Sequence, residues 1–164
     1  MKRMPELSLP PCRLRVTERA GRDLVWDPLR RRWLVLTPEE WVRRHVIAYL
    51  ERLGAPAGRI CQEYPVDVNG QPQRADIVVT DGGGRPLLVV ECKAPEVELT
   101  PKVYAQAVRY NAVLGARYLA LSNGKTHLWV DVSDLSAPVS VSPQAIRFGE
   151  RVAGPGEGGE VLPE

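Results

Sequence analysis

The fold of this chain is decided by residues 74–93, RADIVVTDGGGRPLLVVECK. Two apolar stretches within it, Ile77–Val79 and Leu87–Val90, have the length and the aliphatic, largely β-branched composition of buried strands. The glycine-rich run between them is typical of a turn. We therefore predict two strands, Arg74 to Thr80 and Pro86 to Lys93, that lie side by side in a sheet.

Charged residues flank this pair of strands. Side chains alternate along a strand, so Glu91 and Lys93 share one face with Leu87 and Val89, and two opposite charges end an otherwise apolar strand. Asp76 stands directly before the other apolar stretch, and across a hairpin it could lie beside Glu91.

Upstream of this segment, Thr37-Pro38-Glu39-Glu40 predicts the start of a helix with Thr37 as N-cap and Glu40 able to close a capping box. Apolar residues at helical spacing continue to about Leu53. Before it, Leu24 to Trp26 and Trp33 to Leu36 favour a hairpin, and after it a strand from Ile60 contains Pro65, which indicates an edge position.

Downstream, Thr100-Pro101 predicts a second helix that ends near Leu114, before Gly115. Asn123-Gly124 then joins two further strands, Tyr118 to Ser122 and Thr126 to Val132. The pattern indicates an α/β fold with a central mixed sheet flanked by the two helices.

Composition narrows the class of protein. The chain has 164 residues, 44% of them hydrophobic, which suits one core rather than two. We expect no membrane span and a cytoplasmic location, because the longest aliphatic runs fall far short of the ~20 residues a span needs. The three cysteines are odd in number and far apart, so we expect reduced thiols. The net charge of +2 does not by itself indicate nucleic-acid binding.

The charged residues Asp76, Glu91 and Lys93 are of the types that bind a metal ion and act on a phosphate. Two carboxylates at one place repel each other unless a cation joins them, and Mg²⁺ prefers a few carboxylate oxygens with waters and substrate phosphate. Asp76 and Glu91 are thus candidate metal ligands, and Lys93 could orient water or stabilise charge on a phosphate. The alternative is a structural ion-pair cluster.

In these residues the chain resembles the PD-(D/E)xK nuclease superfamily. Asp76, followed after 14 residues by Glu91-Cys92-Lys93, matches its acid and ExK elements, and residues 106–110, QAVRY, match the QxxxY element of one branch. With residues 36–43, LTPEEWVR, these segments look like the N-terminal nuclease domain of type I restriction enzyme R subunits.

The resemblance implies a restriction-endonuclease-like αβββαβ core that hydrolyses DNA with Mg²⁺ or Mn²⁺. It implies that the metal is bound by Asp76, Glu91 and the Cys92 carbonyl, and that Lys93 acts on the water. It also implies an assisting acid on the first helix, for which Glu40 is the better match and Glu39 stays open.

Further candidates are weaker. Gln106 and Tyr110 lie on one helical face and would brace the lysine or contact phosphate, with ordinary helix packing as the alternative. Arg43, Arg74 and Lys102 are candidate contacts to the DNA backbone, with solvated surface charge as the alternative for each.

We expect three regions: an N-terminal extension with the hairpin (1–36), a nuclease-like domain (37–134) and an irregular, partly disordered tail (135–164). Two other functions stay open: a nucleic-acid-binding module with the nuclease fold but no cleavage, and an assembly subunit for which Trp26 and Trp33 could form an adhesive surface. DNA is the expected partner, with RNA and a protein partner or homo-oligomer left open.

Overall fold

A computed structural model describes residues 2–149 of the chain. Nine strands and two α-helices follow one another in this order: β1 (Val16–Arg19), β2 (Arg22–Asp27), β3 (Arg32–Val35), α1 (Pro38–Arg52), β4 (Ile60–Val68), β5 (Gln71–Thr80), β6 (Pro86–Cys92), α2 (Pro101–Leu114), β7 (Tyr118–Ser122), β8 (His127–Asp131) and β9 (Val139–Ser140). Short 3₁₀ turns at Ala57–Arg59 and Pro143–Ala145 complete the described part.

The strands β1, β2 and β3 form a small antiparallel sheet of their own. The predicted hairpin is its β2–β3 part, in which Trp26 lies opposite Trp33. The sequence analysis did not predict β1. A two-residue turn joins β1 to β2, with positive φ at both Ala20 and Gly21, which is the turn geometry that matches the twist of paired strands.

Helix α1 begins where Thr37 and Pro38 predict. The Thr37 hydroxyl accepts a hydrogen bond from the Glu40 backbone N–H at 3.1 Å. The predicted capping box is only half formed, because the Glu40 carboxylate pairs with Arg43 and Arg44 instead. Helix α2 begins at Pro101 after the Thr100 cap and ends at Leu114, before the C-cap Gly115, whose φ of 67° is left-handed.

The main sheet has the order β4-β5-β6-β7-β8-β9. Its pairs are antiparallel except β6–β7, which are parallel because α2 crosses over between them. Strand β4, which contains Pro65, lies at the edge as predicted. From α1 to β7 the order is the predicted αβββαβ, so the expected mixed α/β architecture is confirmed.

The two helices cover opposite faces of this sheet. Residues of α1 pack with one side of β5 and β6, including Ile77, Leu88 and Val90. Ala107 and Tyr110 of α2 pack on the other side, against residues that include Val78 and Val89. The central strands are buried on both faces, which is why their sequences are almost continuously apolar.

The observed strands differ from the predicted ones mainly at their ends. β5 begins at Gln71 rather than Arg74, and β6 ends at Cys92, which leaves Lys93 just beyond the strand. Within the expected tail, β9 extends the main sheet, and Ile146 and Phe148 join the core on the α1 side. The rest of the tail expected to be partly disordered, residues 150–164, lies outside the described residues.

The three cysteines are free thiols. Between residues 2 and 149 there is no helix whose length and apolar character would let it cross a membrane.

Candidate active site

The candidate site lies where β5 and β6 stop pairing. Their ladder ends at Ile77 opposite Val90, although β6 continues for two more residues. In the gap, Asp76 Oδ2 accepts a hydrogen bond from the Cys92 N–H at 2.8 Å, and the Asp76 N–H donates to Glu91 Oε1 at 3.1 Å. Side-chain oxygens thus replace the carbonyls of a regular ladder, and the two acids are fixed next to each other.

The environment of Glu91 disfavours its negative charge. The residue is only 4% exposed. Burial, followed by the negative charge of Asp76, raises the pKa of Glu91 to about 8, against the opposing effects of the Asp76 N–H and Lys93. A cation beside the two carboxylates would remove this penalty.

An arginine of α1 lies against the acids. Arg43 Nη2 is 3.2 Å from Asp76 Oδ1 in a hydrogen-bonded ion pair, and Arg43 Nη1 is 3.3 Å from Glu40 Oε2. Burial opposes the charge of Arg43, but the negative charges of Asp76 and Glu40 outweigh it and hold its pKa above the ordinary value. Arg43 is thus a counter-charge for the acids.

The two acids in the first turn of α1 occupy different surroundings. Glu40 is buried, and its Oε1 lies 3.1 Å from Arg44 Nε. The side chain of Glu39 is 44% exposed, and its Oε1 lies 3.7 Å from Arg43 Nη2, the same nitrogen that bonds Asp76. Burial and then the charge of Asp76 raise the pKa of Glu39, and Arg43 and Lys93 oppose this rise. Glu39 therefore shares the electrostatic environment of the site, whereas Glu40 faces inward.

A buried ion-pair network joins α1 to the N-terminal sheet. Arg44 Nη1 lies 3.0 Å from Oδ1 of Asp27, a fully buried residue at the end of β2, and Arg44 also donates to Gln62 on β4. Gln62 in turn donates to Asp27 Oδ2 at 3.0 Å. These contacts fix the small sheet against the edge of the main one, close to the acids.

The neighbouring strand is distorted beside Asp76. In β4, Glu63 lies between the pairs that place Gln62 opposite Ile77 and Tyr64 opposite Ala75, and its φ is 50°. A non-glycine residue in this region is strained by about 1–3 kcal/mol. The distortion lets Glu63 accept from Arg30 at 2.6 Å and reach Arg43 Nη1 at 4.0 Å.

Lys93 follows β6 immediately and is half-buried. Its N–H donates to the Ser122 carbonyl at 2.9 Å, so its backbone continues the parallel pairing with β7. Its ammonium lowers the pKa values of both Glu91 and Glu39, so it is electrostatically close to both. No carboxylate among residues 2–149 lies within 4 Å of it as an ion pair, which leaves its donors available.

Gln106 and Tyr110 contact each other and the sheet. Gln106 Nε2 donates to Tyr110 Oη at 3.0 Å, and the Tyr110 hydroxyl donates to Gln73 Oε1 at 3.5 Å. Gln73 lies on β5, three residues before Asp76. The pair thus touches the strand that carries an acid, and no hydrogen bond between described residues joins Gln106 to Lys93.

The remaining candidates separate into two groups. Arg74 on β5 and Lys102 on α2 are exposed, as a backbone contact requires. Arg43 is buried and bonded to carboxylates. The donors of Arg43 face the acids, and a contact between Arg43 and the DNA backbone stays a prediction.

Sequence reasoning missed Arg44, Asp27 and Gln73. Arg43 and Arg44 stand between apolar residues of α1. This position in the sequence is the signal that could have indicated that both arginines are buried. Asp27 resembles an ordinary turn residue, and its O atoms do accept from the Leu29 and Arg30 N–H groups.

The donor set limits which metal the site could take. Residues 2–149 contain no cluster of three or more His, Cys, Asp or Glu side chains arranged around one metal position. The site therefore offers two carboxylates, Asp76 and Glu91, with the carbonyl of Cys92 adjacent in the chain. Such a set fits Mg²⁺ or Mn²⁺, which complete their shells with water and phosphate.

Residues 38–142 match the family described as Type I restriction enzyme R protein N terminus (HSDR_N). The match covers α1, the candidate site and β9, and leaves out the N-terminal sheet. A comparison with curated proteins gives no match.

Among solved structures, the chain is similar to a fragment of a protein assigned as an HsdR subunit of a type I restriction enzyme from Vibrio vulnificus YJ016. The TM-score is 0.50 at 21% sequence identity, with 65% of this chain and 23% of that chain covered. This likeness supports the fold. This chain spans only 23% of the length of that fragment.

Proposed function

Because the chain belongs to the family of type I restriction enzyme R protein N-termini, we propose that it is a nuclease domain that hydrolyses DNA phosphodiester bonds with Mg²⁺ or Mn²⁺. The observation that carries the proposal is the fixed pair of Asp76 and Glu91 in the gap between β5 and β6, with the Lys93 ammonium close by.

In the proposed site, Asp76, Glu91 and the Cys92 carbonyl bind the metal. These residues fit a metal ion because burial and the charge of Asp76 disfavour the ionised form of Glu91, and a bound cation would stabilise that form. When bound, the ion would polarise the scissile phosphate and lower the pKa of a bound water. Asp76 would be held in place meanwhile by the Cys92 N–H.

Lys93 is the proposed catalytic cation. Its free ammonium donors would orient the attacking water or stabilise the charge that develops on the phosphate oxygens. Glu39 is the proposed assisting acid of α1, in preference to Glu40, because Glu39 is partly exposed and the charges of Asp76 and Lys93 act on its pKa. It would hold or accept a proton at the mouth of the site.

In this proposal, some residues hold the acids and their strand in position without touching the substrate. Arg43 holds Asp76 from the α1 side, and Gln106 with Tyr110 supports β5 from the α2 side. Arg74 and Lys102, both exposed, are proposed contacts to the DNA backbone. The proposed protein partners are the other subunits of a restriction enzyme.

A second candidate is a nucleic-acid-binding module that does not cleave. One observation favours it: the Arg43 guanidinium already neutralises Asp76 at 3.2 Å, as a bound cation would. If this ion pair persists when DNA is bound, the acids have less need of a metal.

One experiment separates the two candidates. Plasmid and linear DNA are incubated with the protein in Mn²⁺, in Mg²⁺ and in EDTA, beside Asp76→Asn as the matched variant. The nuclease proposal expects cleavage by the parent with metal only, and loss of cleavage in the variant. DNA binding without cleavage under every metal condition would overturn it in favour of the silent module.

A further inference from the structure

The solvent-facing side of the N-terminal sheet concentrates positive charge. Residues 1–36 contain nine Lys and Arg and four Asp and Glu, a net charge of +5, whereas the whole chain has +2. The remainder of the chain, which contains the acidic site, therefore carries −3. Residues 1–36, which include the small sheet, are thus the basic part of this molecule.

The strand register places Arg19 and Arg22 on one face and the acids of β1 and β2 on the other, where Arg32 lies opposite Asp27. One face, which we call the arginine face, combines arginines with an aromatic pair: Arg15, Arg19, Arg22, Trp26 and Trp33. The three acids of β1 and β2 alternate onto the opposite face: Glu18, Asp23 and Asp27. Among the described strand residues of the arginine face none is acidic.

Burial shows which face is open. Val25 and Asp27 are fully buried on the opposite face, which therefore packs against the rest of the domain. On the arginine face Arg15, Arg19 and Arg22 are all exposed.

Two of the arginines, Arg15 and Arg19, are held in place by the tryptophans. The guanidinium of Arg15 lies 5.6 Å from the ring centre of Trp26 and 5.3 Å from that of Trp33, and the guanidinium of Arg19 lies 5.3 Å from Trp33. The two rings meet edge to face at 5.3 Å. Stacking restricts these side chains while their N–H groups stay free to donate outward.

One pair on this face is electrostatically unfavourable by itself. Arg19 lies directly opposite Arg22 across the β1–β2 ladder, and like charges in that position destabilise a sheet. An anion that contacts both guanidinium groups would remove the repulsion.

The arginine face also lies on an element that is tied to the acidic site. In the β2–β3 turn, Arg30 donates to Glu63 at 2.6 Å, and Glu63 reaches Arg43, which bonds Asp76. The family match begins at residue 38, so the sheet lies outside the matched part of the chain.

From these observations we propose that the arginine face binds the phosphodiester backbone of the DNA that the acidic site acts on. Guanidinium groups recognise phosphate bidentately and without regard to base sequence. The rings are already covered by Arg15 and Arg19, so phosphate contact is favoured over stacking of bases on the tryptophans. The proposal extends the proposed function by naming where the substrate backbone is held.

The test measures binding in EDTA, where no cleavage occurs, by fluorescence anisotropy of a labelled duplex over a range of salt concentrations. The variant Arg15→Gln/Arg19→Gln/Arg22→Gln is compared with Arg85→Gln/Arg109→Gln/Lys125→Gln, which removes the same charge from exposed positions elsewhere. We expect the first to weaken binding roughly 10- to 100-fold and to lower the salt slope by about 2–3, and the second to change both little.

Because loss of the stacked arginines could loosen the sheet, Arg22→Glu is made as a second variant. Arg22 has no ring contact among the described residues, so its replacement leaves the tryptophan packing intact. It should weaken DNA binding without lowering the unfolding temperature, because residue 22 then attracts Arg19 across the ladder instead of repelling it.

Three results would overturn the proposal: parental binding by both face variants, equal loss in the control triple, or binding of anionic lipid vesicles by this face with no binding of DNA. Its failure is distinct from that of the proposed function. A protein that binds DNA through this face but never cleaves it would refute the nuclease alone, and one that cleaves equally well without these arginines would refute the arginine face alone.

Discussion

Asp76 Oδ2 accepts a hydrogen bond from the backbone N–H of Cys92 at 2.8 Å, in the place where a β5 carbonyl would stand in a regular ladder. The same side chain is therefore both a candidate metal ligand and a clamp between strands. Two substitutions should separate these roles. Asparagine at position 76 removes the negative charge but keeps an oxygen that can accept from the Cys92 N–H, whereas alanine removes both.

Asp76→Asn should keep the fold and weaken Mn²⁺ binding by at least roughly tenfold, since one anionic ligand is lost. Asp76→Ala should lose the metal as well and be destabilised by about 1–3 kcal/mol, because the Cys92 N–H is left without a partner. Calorimetric Mn²⁺ titration and urea unfolding measure the two effects. Glu51→Gln, an exposed acid on α1, serves as the control, and undiminished Mn²⁺ binding by Asp76→Asn would remove Asp76 from the ligand set.

Glu91 should make the metal-free protein pH-sensitive. Its pKa is raised from the usual 4.5 to about 8, so the folded state keeps a proton that the unfolded chain releases, and stability falls as pH rises through this range. Glu91→Gln does not titrate. In EDTA we expect it to match the parent near pH ~5 and to exceed it by about 1–3 kcal/mol near pH ~9.

Addition of Mn²⁺ should make the parent more stable than Glu91→Gln, since the ion stabilises only the protein that binds it. Thermal unfolding with and without Mn²⁺ at both pH values checks the prediction. A difference between parent and Glu91→Gln that is independent of pH would show that Glu91 is ionised throughout.

Lys93→Ala should separate metal binding from catalysis. The ammonium makes no ion pair with a described carboxylate, so its loss should leave Mn²⁺ affinity near that of the parent while the cleavage rate falls by roughly 100-fold or more. Single-turnover cleavage and calorimetry provide the two readouts. Lys125→Ala, at an exposed turn position, controls for the loss of one positive charge, and parental cleavage by Lys93→Ala would exclude Lys93 from the mechanism.

The acids of α1 should respond in opposite ways. Glu40 is buried between Arg43 and Arg44, so Glu40→Gln should lower stability by about 2–4 kcal/mol. Glu39 is partly exposed near Asp76 and Lys93, so Glu39→Gln should leave the fold intact and slow cleavage by roughly 100-fold. Urea unfolding and cleavage rates are compared for both, and normal cleavage by a stable Glu39→Gln protein would return the assisting role to Glu40.

Gln106 should support cleavage by its hydrogen bond to Tyr110, rather than stabilise the fold by being buried. Gln106→Ala removes the hydrogen bond to Tyr110 and should slow cleavage by roughly tenfold with little change in stability. Tyr110→Phe loses only the hydroxyl contacts and should cost about 0.5–1.5 kcal/mol, whereas Tyr110→Ala should cost about 3–5 kcal/mol. If cleavage by the folded Gln106→Ala and Tyr110→Phe proteins equals that of the parent, the QxxxY pair is helix packing.

Several elements could be predicted from local chemistry. Thr37-Pro38 and Thr100-Pro101 define both helix starts, because an N-cap oxygen and a proline at the first position satisfy the helix end without help from the rest of the fold. Asn123-Gly124 likewise indicates the β7–β8 hairpin. In contrast, β1 is short and polar, and it becomes a strand only because β2 supplies its hydrogen-bond partners.

By itself, then, the sequence determined the order of the main elements. It also indicated Asp76, Glu91 and Lys93 as one candidate site, since charged residues in apolar strands cost free energy unless they have a function. Only the tertiary structure decided what surrounds them. The end of the β5–β6 ladder, the inward turn of Glu40 and the burial of Arg43 against Asp76 depend on register and on packing between residues distant in sequence. Neither periodicity nor spacing contains these contacts, because a side chain that is charged and solvated in the unfolded chain finds its partner only when the strands and α1 come together.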